Sequence, residues 1–293
     1  MTTLAPPPPA PATPPPPLSP GGRTAVRVTL IVAAVVLVVG SLVSLGVIAF
    51  GISGFRVITD SKALPSQMRA LVVDTGSVPV AVRITTDRNA SEPRADLRMV
   101  NSMRAGANPL GVSVDRGETR ITINGESSPF LQWSRGGEIS VVLPPDLARR
   151  LTVTTRQDNG VVLAQADVDQ LNANTDNGAV ILSGSARRIE IHTDNGDVVT
   201  PDRISVSEAF IATTDNGAVK VDFSEAAPKT IDATSDNGDV VIALPARGPY
   251  VVNASTDNGD AVVRVPQTQD REAAAAVVTV RSQNGDVVIE DLR

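Results

Sequence analysis

The amino-acid sequence predicts an all-β chain, a parallel β-solenoid (β-helix-like) ectodomain preceded by one transmembrane α-helix. Three observations carry this. Asp-Asn-Gly stands at 158–160, 176–178, 194–196, 215–217, 236–238 and 257–259, and Gln283-Asn284-Gly285 is a seventh copy. Apolar and polar residues alternate on both sides of each copy. An uncharged run between Arg27 and Arg56 has 23 mostly aliphatic residues, Val28 to Phe50, at its centre.

Residues 1–25 begin with a tract that holds 10 of the 22 prolines within its first 20 positions. With nothing apolar to bury, such a tract is expected to be an extended or disordered tail. Residues 26–52 are expected to form the transmembrane helix. About 20 apolar residues cross a bilayer as a helix, since every backbone polar group must be satisfied internally there. Arg23 and Arg27 precede the span, while Arg56, Lys62 and Arg69 follow it, so flanking charge alone does not orient it. The short positive tail and the large acidic remainder favour a cytoplasmic N-terminus in the plasma membrane and an extracytoplasmic C-terminal domain. Residues 53–69 read as a juxtamembrane linker. Residues 70–150 read as leading irregular β rungs or a cap, with β stretches at 70–75, 78–86, 111–114, 120–124 and 138–143; a separate small β-domain is the alternative.

Residues 151–293 carry the repeat. The Asn positions step by 18, 18, 21, 21, 21 and 26 residues, the mark of a solenoid or array. Six residues before each Asn stand Val153, Leu171, Ile189, Phe210, Ile231, Val252 and Val278. Three after it stand Val162, Val180, Val198, Val219, Val240, Ala261 and Val287. Period-2 alternation makes each flank a strand with one face inward. Asn-Gly between strands is ordinarily a hairpin signal. A hairpin would set Asp194 opposite Asp197 and Asp236 opposite Asp239, and like charges directly opposite are destabilising. Stacked rungs, each a strand, an Asn-Gly corner and a strand, avoid that pairing. The corner residues are then Asn159-Gly160, Asn177-Gly178, Asn195-Gly196, Asn216-Gly217, Asn237-Gly238, Asn258-Gly259 and Asn284-Gly285.

Composition excludes several chemistries. The chain has no Cys, one His, and 7 aromatics (one Trp, one Tyr and five Phe) in 293 residues. Thiol nucleophiles, disulfides and cysteine-ligated metal sites are absent by composition. Residues 1–55 carry two basic residues and no acid, and the other 24 basic against 32 acidic residues leave −8 on the remainder. An acidic domain poor in aromatics is not built for nucleic acid.

In the units Thr193-Asp194-Asn195-Gly196-Asp197-Val198-Val199 and Ser235-Asp236-Asn237-Gly238-Asp239-Val240-Val241, following an apolar span, the chain resembles the bacterial putative-adhesin domain family. The resemblance covers 150–293 closely and 70–150 loosely. It implies a parallel β-solenoid outside the membrane without a known catalytic residue set.

No catalytic residue and no cofactor is expected. The stacked row of Asp158, Asp176, Asp194, Asp215, Asp236 and Asp257 is read as turn-capping carboxylates. The calcium alternative rests on Asp176, Asp194, Asp215, Asp236 and Asp257. Thr175, Thr193, Thr214, Ser235, Thr256 and Ser282 are read as a hydroxyl ladder. Leu71-Val72-Val73-Asp74-Thr75-Gly76-Ser77 matches the aspartic-protease pattern, but that chemistry needs a second carboxylate, and no second Asp-Ser/Thr-Gly occurs. Asp74 is therefore read as a turn, with a dimeric protease as the alternative. His192 is expected on an outward strand position. Trp133, with Phe130 and Leu131, is expected to plug one end of the stack, and Arg149-Arg150 and Arg187-Arg188 to lie in solvated loops. The function expected is a non-enzymatic single-pass envelope protein whose adhesin-like solenoid meets a protein or cell-wall partner. The alternative is an envelope sensor signalling through the membrane helix.

Overall fold

The computed structural model describes residues 55–102, 109–124 and 137–292. The Pro-rich tail, the apolar span and the Phe130/Leu131/Trp133 cluster lie outside the described residues. Among those described, no helix is long and apolar enough to cross a membrane.

The leading part contains β1 (Phe55–Ala63), β2 (Ala70–Gly76), β3 (Ala81–Thr86), β4 (Arg94–Ser102), β5 (Leu110–Asp115), β6 (Glu118–Ile123) and β7 (Gly137–Leu143). A single helical turn, α1 (Pro145–Ala148), follows. The repeats then alternate between two sheets. One takes β8 (Thr152–Asn159), β10 (Val168–Asn177), β12 (Ser185–Asn195), β14 (Ser205–Asn216), β16 (Thr230–Asn237), β18 (Tyr250–Asn258) and β20 (Ala276–Asn284). The other takes β9 (Val162–Gln165), β11 (Val180–Ser183), β13 (Val198–Val199), β15 (Val219–Asp222), β17 (Val240–Leu244), β19 (Ala261–Arg264) and β21 (Val287–Asp291).

The rungs stack in parallel, as the charge argument against hairpins requires. Asn177 registers with Asn159 and Asn195, and Asn216 with Asn195 and Asn237. β2 and β3 join the same stack, parallel to β8 and β9, through an earlier corner at Asp74-Thr75-Gly76. Inward positions are shut off from solvent: Val153, Val162, Val180, Val198, Phe210, Ile231 and Ile242 are fully buried. Each rung donates only a few aliphatic side chains, so few aromatics suffice. Phe210 and Phe223 meet edge to face at 5.4 Å in the interior.

Two features depart from expectation. Residues 55–63, read as linker, form β1, which pairs antiparallel with β4, as β4 does with β7. Neither β1 nor β4 was anticipated. Together with the antiparallel β5–β6 pair, they end the parallel stack at its leading end. At the other end, spatial order leaves sequence order. The last repeat inserts before the previous one, so the sheets run β16-β20-β18 and β17-β21-β19. The 26-residue step between Asn258 and Asn284 is the trace of that return in the sequence.

Candidate functional site

The vertex where the seven corners stack is held by asparagine. Asn195 Nδ2 donates to Asn177 Oδ1 at 3.1 Å, and the links Asn216→Asn195, Asn237→Asn216, Asn284→Asn237 and Asn258→Asn284 are each 3.0 Å. An amide both donates and accepts, so one row of identical side chains can satisfy itself, which ionised carboxylates cannot do. Just inside the vertex, Thr214, Ser235, Ser282 and Thr256 donate to the carbonyls of Gly196, Gly217, Gly238 and Gly285 at 2.8 to 3.0 Å. Four of the six expected hydroxyls thus bond to a glycine carbonyl; Thr175 Oγ1 instead accepts from Gln157 Nε2 at 3.5 Å, and the buried Thr193 Oγ1 has no hydrogen-bond partner among the described residues. The glycines are required by closeness: a Cβ on Gly178 would stand 1.5 Å from the Gly160 carbonyl oxygen.

The carboxylate that receives a backbone N–H is not the one expected. Asp197, Asp239 and Asp286, which follow the glycines, accept from the N–H of Ala218, Asp286 and Asp260 on the next rung at 2.8 to 2.9 Å. The Asp row before the Asn points outward instead, and Gln283 donates to Asp236 at 3.1 Å where the row is interrupted. Among the described residues, no three Asp, Glu or His side chains are grouped to hold a metal ion.

Asp74 sits at the first corner. Its carboxylate accepts from Arg120 at 3.2 Å and from the Gly76 N–H at 3.3 Å. An aspartic-protease carboxylate shares a proton with a second carboxylate at this range; here the neighbour is a guanidinium. His192 faces outward and exposed, with Nε2 3.4 Å from Asp194. Arg187 and Arg188 are in β12 rather than in a loop. Arg187 clamps two neighbouring rungs through Asp169, at 2.9 and 3.2 Å, and Glu208. The bonds from Arg187 hold the Asp169 carboxyl below its ordinary 3.8 against the opposing effect of desolvation. Arg149 is the exposed residue expected, 3.5 Å from Asp146.

Two outer walls flank the vertex. On the β8–β20 sheet, Arg156, Asn174, His192, Thr213, Thr234, Arg281 and Ser255 stand in register, one per rung. A shallow depression of about 350 Å³ opens among Arg156, Asn174, Glu190 and His192 on this wall. On the opposite sheet the matching row is Leu163, Ile181, Val199, Lys220, Val241, Val288 and Val262. All but Lys220 are half-buried aliphatics. These walls are suited to contact over a broad area.

No curated protein matches the chain. Among solved structures, a putative adhesin from Bacteroides fragilis is similar at 14% identity, covering 81% of this chain and 97% of its own, with a TM-score of 0.43. A putative adhesin from Parabacteroides distasonis is similar at 9% identity over 81% of this chain and 97% of its own, TM-score 0.45. A putative lipid binding protein from Parabacteroides distasonis is similar at 11% identity over 80% of this chain and 97% of its own, TM-score 0.40. The family profile described as Toastrack DUF4097 matches residues 68–290, from the strand before the first corner to the strand after the last. That match takes in every strand but β1 and every repeated corner, and the chain belongs to the Toastrack DUF4097 family.

Proposed function

We propose that this chain is a non-enzymatic, single-pass protein of the bacterial cell envelope. In this reading Val28 to Phe50 crosses the plasma membrane, the Pro-rich tail is cytoplasmic, and the solenoid stands outside as an adhesin-like contact surface. The observation that carries it is the in-register polar wall of the β8–β20 sheet. Seven rungs at about 4.8 Å give a wall roughly 30 Å long. Amide, hydroxyl, imidazole and guanidinium groups at one-rung spacing offer repeated donors and acceptors to a protein or cell-wall polymer. Stacked repeats commonly use such extended surfaces for binding.

Protease shaving of intact cells that express the full chain with a C-terminal epitope tests the placement. The epitope is expected to be lost before lysis; protection until lysis refutes an extracytoplasmic solenoid. Replacing Asn174 and Thr234 with Arg is expected to abolish retention of envelope components by the full chain without changing its fold. Retention equal to that of the unaltered chain removes the polar wall as the contact surface.

A further inference from the structure

The end of the stack formed by β18 and β19 is unlike every other rung. Inner rungs bury their inward side chains completely, as at Ile231, Ala233 and Ile242. At the terminal rung the corresponding Val252, Ala254 and Val263 are only half-buried. β18 and β19 are the last strands of their sheets, so among the described residues their outer edges are unpaired along most of their length. Pro266 and Thr268 cover only Tyr250, through Tyr250 N–H to Pro266 O and Thr268 N–H to Tyr250 O, both 2.9 Å. The corner is also left half-used. Asn258 donates to Asn284, which leaves its own Oδ1 with no rung beyond, and while the Asp260 N–H donates to the Asp286 carboxylate, the Asp260 carboxylate has no next-rung N–H to accept from among the described residues.

Natural sheets blunt such edges with proline, lysine or a covering element. Neither β18 nor β19 contains Pro or Lys. At the opposite end the edge strands are β1, which runs with the stack after two reversals through β4, and β5, which runs against it, so the two do not make a rung that matches β18 and β19. A head-to-tail filament is therefore not available, and a closed two-fold contact is.

We infer that the terminal rung pairs with the terminal rung of a second copy of this chain. The register is self-complementary. Ala254 lies four residues before Asn258 and Val262 four after it, so a single two-fold axis can pass through both. On that axis β18 runs antiparallel to β18 of the second copy, and β19 to β19. Ala261 then faces Val263 of the second copy with both side chains inward, and Val262 meets Val262 on the outer face. Asp260 falls opposite Arg264 of the second copy. Arg264 is exposed and lies 3.6 Å from Glu290 in its own chain, and its guanidinium has donors left for a second carboxylate. Opposite charges across an antiparallel pair are favourable where like charges are not.

The pairing has a geometric consequence that rests on the envelope reading proposed above. Phe55, where the chain enters the solenoid, begins the strand at the far edge of the 11-stranded sheet. Ten strand spacings place it about 48 Å from the terminal rung, so the entry points of two paired copies lie roughly 100 Å apart and face opposite ways. Membrane-anchored copies would then meet from two opposing membranes, and the contact would be homophilic.

The chain contains no Cys, which makes single introduced thiols unambiguous reporters. Val262→Cys is expected to form a disulfide-linked dimer of the full chain on mild oxidation. Val241→Cys, in the same outward row but two rungs inside, is the control. Facing residues of an antiparallel pair have Cα atoms about 4.5 to 5.5 Å apart, within disulfide range, so roughly ten-fold more dimer is expected from Val262→Cys than from the control. Val262→Asp sets two carboxylates against each other on the axis without entering the monomer's interior. It is expected to sediment as a monomer with an unchanged circular dichroism spectrum, whereas the unaltered chain sediments as a dimer. Equal crosslinking at Val262 and Val241, or an unaltered chain that stays monomeric, overturns the pairing. With the full chain inserted in vesicles, solenoid outward, clustering that Val262→Asp abolishes supports the homophilic contact. A crosslinked dimer whose vesicles stay dispersed overturns that extension alone. A chain that crosslinks but does not insert overturns the envelope reading and leaves the pairing standing.

Discussion

Gly217→Ala isolates the steric requirement of the corner. Several corner glycines have a left-handed φ that would itself penalise alanine, but Gly217 does not, so closeness alone is tested there. Its added Cβ would lie 2.1 Å from the Gly196 carbonyl oxygen and 2.5 Å from the carbonyl carbon. Carbon and oxygen settle no closer than about 3.3 Å, so the two rungs must part by roughly 1 Å at the vertex. Four bonds cross that gap: Gly196 N–H to Asn216 O at 2.9 Å, Thr214 Oγ1 to Gly196 O at 3.0 Å, Asn216 Nδ2 to Asn195 Oδ1 at 3.0 Å, and Ala218 N–H to Asp197 Oδ1 at 2.8 Å. At about 1 kcal/mol each, their loss costs about 4 kcal/mol, a large share of the ~5–15 kcal/mol that holds a domain together. Urea unfolding followed by circular dichroism should show the midpoint lowered by more than about 1 M. Asn216→Ala, which removes the Asn216→Asn195 and Asn237→Asn216 links and adds no clash, should cost only about 1–2 kcal/mol. A Gly217→Ala variant no less stable than Asn216→Ala refutes the close-approach argument.

Three further outcomes follow from the charges. Burial, with Asp291 nearby, pushes the phenol of Tyr250 above its ordinary 10.0. The stability this group contributes is complete below that value and is lost as pH rises through the folded value; since Tyr250 is the only tyrosine, tyrosinate absorbance should appear together with alkaline unfolding. The Asp169 carboxyl is held low by Arg187, so its contribution is present above the ordinary 3.8 and lost as pH falls through the lower folded value. Arg187→Met should therefore lower the urea midpoint at neutral pH, and its difference from the unaltered chain should shrink as the pH falls below 3.8. Gln283→Asp sets a carboxylate between Asp236 and Asp257, each one rung away, and removes the 3.1 Å bond to Asp236. At about 1 kcal/mol per neighbour in water, the loss should near 2 kcal/mol at low salt and shrink toward zero around 1 M salt, and a salt-independent loss refutes the repulsion.

Register was legible because alignment on the Asn needs only period-2 alternation, and every inward position so aligned lands on its counterpart. The bonding of the vertex was partly legible. All seven copies keep Asn, including the one that replaces Asp with Gln, and an amide, unlike an ionised carboxylate, can bond to its own kind down a row. Asp attracted the turn-capping role because an isolated Asx turn uses it so, but in a stack the next rung's N–H is the better-placed donor, and the carboxylate beyond the glycine meets it. Arg187 misled for a related reason: a short pair of Arg reads as a solvated loop, while its partners Asp169 and Glu208 are 18 and 21 residues away and meet it only through stacking. β1 and β4 pair antiparallel over nine residues with no repeat to mark them.

The inversion of the last two rungs shows what sets order once every corner offers the same bonds. A rung with this vertex fits any slot of the stack, so its inward side chains decide which slot it takes. Val278, Val280, Val287 and Ile289 of the last repeat are large aliphatics, and all are fully buried. The repeat before it carries Val252, Ala254, Ala261 and Val263, with less apolar surface to hide and Ala261 where other rungs have Val. Placing the larger set inside buries more apolar area at about 25 cal/mol per Å², at the cost of a longer return segment, and lengthening a loop costs only fractions of a kcal/mol. Gln283 agrees with the inner slot electrostatically, since it falls between two Asp residues and donates to one of them. The same choice leaves the smaller, half-buried rung at the open end. Burial, rather than chain order, therefore determines which rung this protein presents to a partner.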